Sequence, residues 1–153
     1  SMSWTLLLAL LALALGGLLH GAKFLDVLLA GLISKLRSTA ALLATTLASG
    51  FVGNLAMGEA YISIILNCQL FKRKYEDAGL DPAVLSRTVE EGSTLTTALI
   101  PWTTAGAFYA ATLGVSVLDY LPFAFFNYLN GVVSLLMAFL GIGLLRAKSE
   151  TPK

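Results

Sequence analysis

The sequence predicts an all-α integral membrane protein with about five transmembrane crossings, two broken helices and one interfacial helix. Of the 153 residues, 57% are hydrophobic and only 12% are charged, whereas soluble domains carry about 25% charged residues. The charged residues are also clustered, so that residues 1–22, 38–58, 92–118 and 120–145 contain no Asp, Glu, Lys or Arg. Because about 20 apolar residues cross a bilayer as a helix, several of these segments are long enough to span a membrane.

The N-terminal half is predicted to contain three crossings. Residues 4–20 are almost entirely Leu and Ala, and no Lys or Arg precedes them, which favours a retained transmembrane helix over a signal peptide. Residues 22–36 are shorter and carry apolar side chains on one helix face, which predicts an interfacial helix, with a tilted or broken span as the alternative. Two short crossings follow over residues 38–53 and 55–71, and the first of them has Ser38 as its N-cap.

The C-terminal half opens with a polar insert. Asp81 and Pro82 in this insert predict the N-cap and first position of a short helix over residues 82–91. The remaining segments are a broken crossing over residues 92–117, a last crossing over residues 120–145, and a cytoplasmic tail over residues 146–153.

The positions of the basic residues predict the topology. With these five crossings, all ten Lys and Arg residues fall on one face, which the positive-inside rule makes cytoplasmic. We therefore expect a multi-pass protein of the cell inner membrane, with its N-terminus outside, its C-terminus in the cytoplasm and the lipid bilayer as its surroundings.

Composition also excludes several classes of function. A net charge of +1 argues against a nucleic-acid partner. One cysteine, Cys68, allows no intramolecular disulfide, and the single histidine, His20, leaves few metalloenzyme sites. The sequence contains no nucleophile–base set and no glycine-rich phosphate loop, so we expect neither an enzyme nor a cofactor.

Glu59 gives the strongest functional signal, because it is the only charged residue within residues 38–71. A charge at mid-membrane costs at least roughly 2.5 kcal/mol and usually marks an ion or proton pathway. The alternative is an interfacial Glu59 that caps the helix beginning there. Gly53, Asn54 and Gly58 would let the backbone unwind nearby, so that freed carbonyls, Asn54 and Glu59 offer oxygen ligands to a small cation such as sodium. The glycines are also explained by close contact between helices.

A second polar cluster lies where the crossing over residues 92–117 is predicted to break. Pro101 removes an amide donor and ends the helix there, and discontinuous helices near the bilayer midplane form the sites of many secondary transporters. Hydroxyl groups alone indicate little, because Ser and Thr are common where membrane helices pack. Trp102 fits packing as well as it fits substrate contact. The cluster comprises Glu90, Glu91, Ser93, Thr94, Thr96, Thr97, Pro101, Trp102, Thr103 and Thr104.

Several ordered motifs cover nearly the whole chain. They are Ala14–Leu19, Gly58–Phe71, Tyr75–Glu76 with Gly79–Leu80 and Pro82, Leu85–Thr88 with Glu90–Glu91, Ile100–Trp102, Ala105–Phe108, Thr112–Val115 and Tyr120–Asn127. Together these motifs resemble the NhaC-type sodium/proton antiporter family of the ion transporter superfamily.

The resemblance implies secondary transport that couples sodium and proton movements, in some members with organic anions. Sodium ions and protons would then be the transported species, in a fold of two inverted repeats with broken helices. Glu59 falls where the family usually carries an aspartate, which implies that it is the cation- or proton-binding carboxylate. Asn54, Glu91, Thr94 and Thr96 fall in the other polar motif regions of the family.

The resemblance covers only the C-terminal part of the much longer family members. The chain then corresponds to one repeat, for which an odd number of crossings is required. We expect a half-size unit that works in a same-orientation homo-oligomer such as a homodimer, or that pairs with a separate second-repeat chain. The alternative is a non-transporting membrane scaffold or partner subunit.

Overall fold

The computed structural model describes residues 38–146 and, nearer the N-terminus, residues 3, 6, 7, 10, 11, 14, 17, 18, 21 and 22. The described residues between 3 and 21 are helical, and the amide of Ala22 donates to the carbonyl of Leu18. The predicted interfacial helix lies outside the described residues apart from Ala22, and so does the tail beyond Arg146. Helices make up most of residues 38–146, which confirms the all-α class for this part of the chain.

Two helices, α1 (Thr39–Met57) and α2 (Ala60–Asp77), form an antiparallel hairpin. The hairpin turns at Gly58, whose φ of 67° lies in the left-handed region that glycine adopts without a Cβ penalty. The predicted crossing over residues 38–53 is corrected in one respect, because α1 continues as a regular helix through Gly53 and Asn54 to Met57. Of the three glycines near this point, only Gly58 takes the turn conformation.

Helix α3 (Pro82–Thr97) packs against both helices of the hairpin and runs alongside α1. As predicted, Asp81 is its N-cap and accepts a hydrogen bond of 2.9 Å from the amide of Ala83. The predicted short helix over residues 82–91 and the start of the next segment are, however, one continuous helix. Gly92 does not interrupt it, because this glycine serves a close helix contact instead: an added Cβ would lie 2.7 Å from the carbonyl oxygen of Leu47.

The interior of this three-helix unit changes character along its length. Near the loop between α2 and α3 it is mostly apolar, and toward the hairpin turn it is mostly polar. The buried apolar side chains near the loop are Leu42, Leu43, Phe71, Tyr75, Leu80, Val84 and Leu85. The buried polar side chains toward the turn are Ser49, Asn54, Glu59, Ser63, Asn67, Ser93 and Thr97.

The chain leaves the helical conformation after α3 and re-enters it at α4 (Thr104–Leu113), which confirms the predicted break around Pro101. The last predicted crossing, residues 120–145, is corrected to several pieces, because a bend at Ala124 interrupts it. These pieces are α5 (Val117–Tyr120), a 3₁₀ turn (Leu121–Phe123) and α6 (Phe125–Leu140). Helix α6 returns along α3, where Asn127 Nδ2 donates to the carbonyl of Leu95 at 2.5 Å.

Within the described residues, α1 is the one helix that is long and apolar enough to cross a membrane unaided. Half of its 18-residue apolar stretch is buried inside the protein. The segment Val117–Phe123 and helix α6 are together also long and apolar enough to cross a membrane, although the two are bent by 51° relative to each other. The outer face of α6 carries large exposed apolar side chains such as Leu129, Val133 and Leu136. The number of crossings and their orientation stay predictions.

Candidate functional site

Glu59 lies at the tip of the α1–α2 hairpin, and only 5% of the residue is exposed. Because Gly58 turns the chain sharply, Glu59 becomes the N-cap of α2, where its Oε1 accepts a hydrogen bond of 3.5 Å from the amide of Tyr61. Its other carboxylate oxygen accepts a shorter hydrogen bond, 2.6 Å, from the hydroxyl of Thr104. Glu59 therefore caps α2, as one of the two alternatives predicted, but its carboxylate is buried.

Four helix ends meet around this carboxylate. Helices α2 and α4 begin here, and α1 and α3 end here. A helix N-terminus carries a partial charge of about +0.5 and a C-terminus about −0.5. The starts of α2 and α4 therefore stabilise a carboxylate, whereas the ends of α1 and α3 favour a cation. The structure thus places both kinds of helix end beside one ionisable group.

The junction is held together by hydrogen bonds that satisfy the unpaired groups of these helix ends. The backbone amide of Thr104 donates to the carbonyl of Gly58 at 3.1 Å. Thr103 is buried as the N-cap of α4, and its hydroxyl donates to the carbonyl of Thr97 at 2.6 Å. Trp102 donates from its indole nitrogen to the carbonyl of Leu55 at 3.0 Å. The turn of the hairpin and the break between α3 and α4 therefore form one connected unit.

A cavity of about 560 Å³ opens beside Glu59, between the hairpin tip, α3, α4 and α6. Its polar lining is a single carboxylate with three threonines and an asparagine: Glu59, Thr94, Thr97, Thr104 and Asn127. Aromatic side chains, among them Tyr61, Phe108 and Tyr109, also line it. Carboxylate and hydroxyl oxygens are hard ligands that suit a small cation. The predicted residues Glu59, Thr94 and Thr104 are therefore brought together in one site.

Thr97 belongs to this site although the sequence did not single it out from the hydroxyl-rich segment. The residue is 6% exposed, and its buried hydroxyl oxygen forms no hydrogen bond with another described residue. A buried polar atom without a partner is uncommon and calls for an explanation such as a bound water or ion. The signal that could have found Thr97 is its spacing of three residues from Thr94, which puts both on one helix face.

Asn54 and Thr96 contact each other but do not line the cavity. Asn54 lies inside α1 and is completely buried, and its Nδ2 donates to the carbonyl of Ser93 at 2.5 Å and to the hydroxyl of Thr96 at 2.9 Å. Its Oδ1 has no hydrogen-bond partner among the described residues. Asn54 therefore joins α1 to α3 one turn below Gly58, instead of lying in an unwound segment as predicted.

Glu91 is also separate from the cavity. Its Oε2 accepts a hydrogen bond from the hydroxyl of Ser134 on α6, and its Oε1 lies 3.8 Å from Nε of Arg87. Arg87 in turn donates to the carbonyl of Gly143 at 3.3 Å. The structure therefore places Glu91 in a link between α3 and the C-terminal segment.

The remaining predicted residues shape the junction in different ways. Gly53 packs against Ser63, where an added Cβ would collide with the serine side chain, so it serves helix contact and not unwinding. Gly58 provides the turn. Pro101 and Trp102 line a second, smaller cavity of about 280 Å³ on another side of the break. Trp102 therefore does not line the Glu59 cavity.

The sequence matches the model of a family described as the Na⁺/H⁺ antiporter family over residues 1–142. The chain belongs to this family. It is 43% identical over 153 residues to the Na(+)/H(+) antiporter NhaC of Alkalihalophilus pseudofirmus, which is all of this chain and 33% of the relative. It is 42% identical over 139 residues to NhaC of Bacillus subtilis, which is 91% of this chain and 31% of that relative.

A third relative, the Malate-2H(+)/Na(+)-lactate antiporter of Bacillus subtilis, is 32% identical over 149 residues, or 97% of this chain and 32% of the relative. The chain thus spans about a third of the length of the curated relatives it matches. No solved structure matches it. Membership confirms the resemblance seen in the motifs and identifies the chain as part of a membrane antiporter family whose named members exchange ions.

Proposed function

We propose that this chain supplies the cation- and proton-binding carboxylate of a sodium/proton antiporter, and that Glu59 is that carboxylate. The observation that carries the proposal is the position of Glu59: a buried carboxylate at the tip of a helical hairpin, facing a helix break and lining a cavity. Discontinuous helices that present both kinds of helix end to an ion are the recurrent site architecture of secondary transporters. Family membership makes antiport the matching activity.

Sodium and a proton compete for Glu59 in this proposal. The hydroxyls of Thr94, Thr97 and Thr104 complete an oxygen site for the metal ion, and the hydroxyl of Thr97 is the one of the three that has no hydrogen-bond partner among the described residues. A proton neutralises the same carboxylate without needing those oxygens. Because the cavity lining includes only one carboxylate, one sodium or one proton occupies it at a time. Asn54 and Thr96 hold α1 against α3 and so position the hairpin tip.

The lengths of the helices suggest how deep the site lies. Helices α3 and α4 contain 16 and 10 residues, or about 24 Å and 15 Å at 1.5 Å per residue. If they form one broken crossing, Glu59 lies at the break, inside the membrane. The α1–α2 hairpin then enters the membrane and returns to the same side, instead of forming two complete crossings. All ten basic residues remain cytoplasmic in this arrangement, with the N-terminus outside and the C-terminus inside.

We further propose that the chain functions with another polypeptide. It spans about a third of its curated relatives, and the cavity rim includes exposed Tyr61, Phe108 and Tyr109. A second copy of this chain, or a chain that corresponds to the rest of the relatives, would cover that rim. The competing proposal is a scaffold or partner subunit that has no transport activity of its own.

Sodium-driven proton movement in proteoliposomes tests the role of Glu59. Glu59→Gln should abolish the exchange while the protein stays folded, because the amide oxygen can still accept from the backbone amide of Tyr61 while the NH2 group donates to the hydroxyl of Thr104. Glu76→Gln is the matched control, since Glu76 is exposed and among the described residues it pairs with Lys72 alone, at 4.0 Å. Exchange by Glu59→Gln at the level of the unaltered chain would contradict the assignment.

The same assay distinguishes the forms of the proposal. If the folded, unaltered chain shows no exchange alone but gains it when reconstituted with the remaining part of the Bacillus subtilis NhaC relative, the active form needs a second chain. No exchange in either case would favour the scaffold. Addition of malate and lactate tests organic-anion exchange, which only the name of one relative suggests.

A further inference from the structure

The outer face of α3 differs in chemistry from the exposed face of α6. Ser86, Glu90 and Thr94 follow one another at intervals of four residues, so they lie on one side of the helix, and all three are exposed. We call this row the access stripe. On α6, by contrast, the exposed positions Leu129 and Val133 are apolar. Apolar side chains suit contact with lipid, whereas a carboxylate and two hydroxyls do not.

Glu90 is the residue that makes the stripe informative. Two residues after it, Gly92 packs against Leu47, which is the ninth of the 19 residues of α1. Glu90 therefore lies beside the middle of α1, about 16 Å along that helix from the Glu59 end, on the side of the loop between α2 and α3. It forms no ion pair with another described residue, unlike its neighbour Glu91. An exposed carboxylate between that loop and the buried Glu59 is suited to contact with water or protein and not with lipid.

The stripe ends in the Glu59 cavity. Thr94 is exposed on the stripe and at the same time lines the cavity, about 6 Å along the helix from Glu90 at 1.5 Å per residue. One turn further, the unpartnered hydroxyl of Thr97 lies in the cavity wall. Polar oxygens thus continue from the exposed face of α3 to the carboxylate of Glu59. The other end of the stripe lies near the loop between α2 and α3.

We propose that the access stripe is a water-filled route by which cations reach Glu59 from the side of the α2–α3 loop, with Glu90 as the carboxylate that attracts them. Residues 72–81 at the start of the route contain three basic and three acidic side chains, so this segment itself has no net charge. The route rests on the proposed function of Glu59, but its exposure to water can be measured without transport.

Cysteine labelling in proteoliposomes tests the exposure to water. In a Cys68→Ser background, Glu90→Cys and Thr94→Cys are treated with a positively charged, water-soluble thiosulfonate reagent. Leu136→Cys, exposed on α6, is the lipid-facing control, and Glu76→Cys is the exposed polar control. Because the thiolate is the reacting species, thiols on the stripe should react at least about tenfold faster than the α6 thiol. Equal rates at Thr94→Cys and Leu136→Cys would overturn the route.

The role of the charge on Glu90 has its own test. Glu90→Gln should raise the sodium concentration for half-maximal exchange several-fold and leave the maximal rate near that of the unaltered chain. Glu76→Gln should change neither quantity. A sodium dependence of Glu90→Gln identical to that of Glu76→Gln would overturn the role of Glu90. If Glu59 is not the ion-binding carboxylate, Glu59→Gln will still exchange sodium for protons, and the labelling pattern of the stripe will be unchanged.

Discussion

The contact between α1 and α3 at Gly92 can be tested by adding one methyl group. In Gly92→Ala, the new Cβ would lie 2.7 Å from the carbonyl oxygen and 2.9 Å from the Cα of Leu47. Ordinary van der Waals contact begins at 3.4 Å, so the two helices would have to part by about 0.7 Å. The atoms in the way are backbone, which cannot rotate aside as a side chain could. We therefore expect the substitution to be destabilising.

The size of the effect follows from three contributions. Overpacking of this kind costs about 1–3 kcal/mol. Separation of the helices would also weaken the hydrogen bonds from Asn54 to Ser93 and Thr96, each worth about 1 kcal/mol net. Alanine in a helix interior is favoured over glycine by about 1 kcal/mol, which offsets part of this loss. The expected net destabilisation is about 1–3 kcal/mol.

Gly131→Ala is the matched control, because Gly131 lies in α6 and an added Cβ would meet nothing within 4 Å. Thermal unfolding of the purified protein in detergent should show a lower Tm for Gly92→Ala by several degrees, since 1 kcal/mol corresponds to about 2–4 °C for a chain of this size. Gly131→Ala should leave Tm unchanged or raise it. Shifts of the same sign and size in both variants would refute the close contact.

Substitutions at three further positions test other contacts of the fold. Gly58→Ala should lower Tm and reduce exchange, because a residue with a Cβ pays about 1–2 kcal/mol in the left-handed conformation; Gly58→Asn should be milder in both assays. Glu91→Gln should change the free energy of unfolding by less than about 1 kcal/mol, since the ion pair of Glu91 with Arg87 is partly exposed. It should also leave the sodium dependence of exchange intact. A loss of that dependence would indicate that Glu91 belongs to the ion site. Trp102→Phe should lower Tm through the lost bond to Leu55, worth about 1 kcal/mol, with exchange retained; an unchanged Tm would contradict that bond.

The sequence predicted the helices better than their breaks. Gly53, Gly58 and Gly92 are the same residue type, yet of these three only Gly58 has a positive φ. The other two permit close approach of neighbouring helices, which is a tertiary contact that local sequence does not encode. The helix break around Pro101 was predicted correctly, because the amide donor that proline lacks is a property of the local sequence.

The candidate site shows the same limit at the level of single positions. Glu59 could be identified because a lone carboxylate in a long apolar segment is unusual. The choice between adjacent residues of α3 depended on knowing that the helix runs continuously through residue 92. Successive residues of a helix point about 100° apart, so Glu91 faces α6 while Glu90 is exposed. In the same way, Thr96 bonds to Asn54 while Thr97 lines the cavity.

The hairpin turn and the helix break gain from being placed together, because each alone would leave buried groups unpaired. The end of α1 presents carbonyls and the start of α4 presents amides, and the bond from Thr104 to Gly58 satisfies one of each. The same threonine also holds Glu59 through its hydroxyl. A cation or proton that neutralises the carboxylate would weaken the charge-assisted bond from that hydroxyl. Occupancy of Glu59 is thereby linked to the contact between the hairpin and α4. This contact would have to change if the hairpin and α4 move relative to each other during exchange.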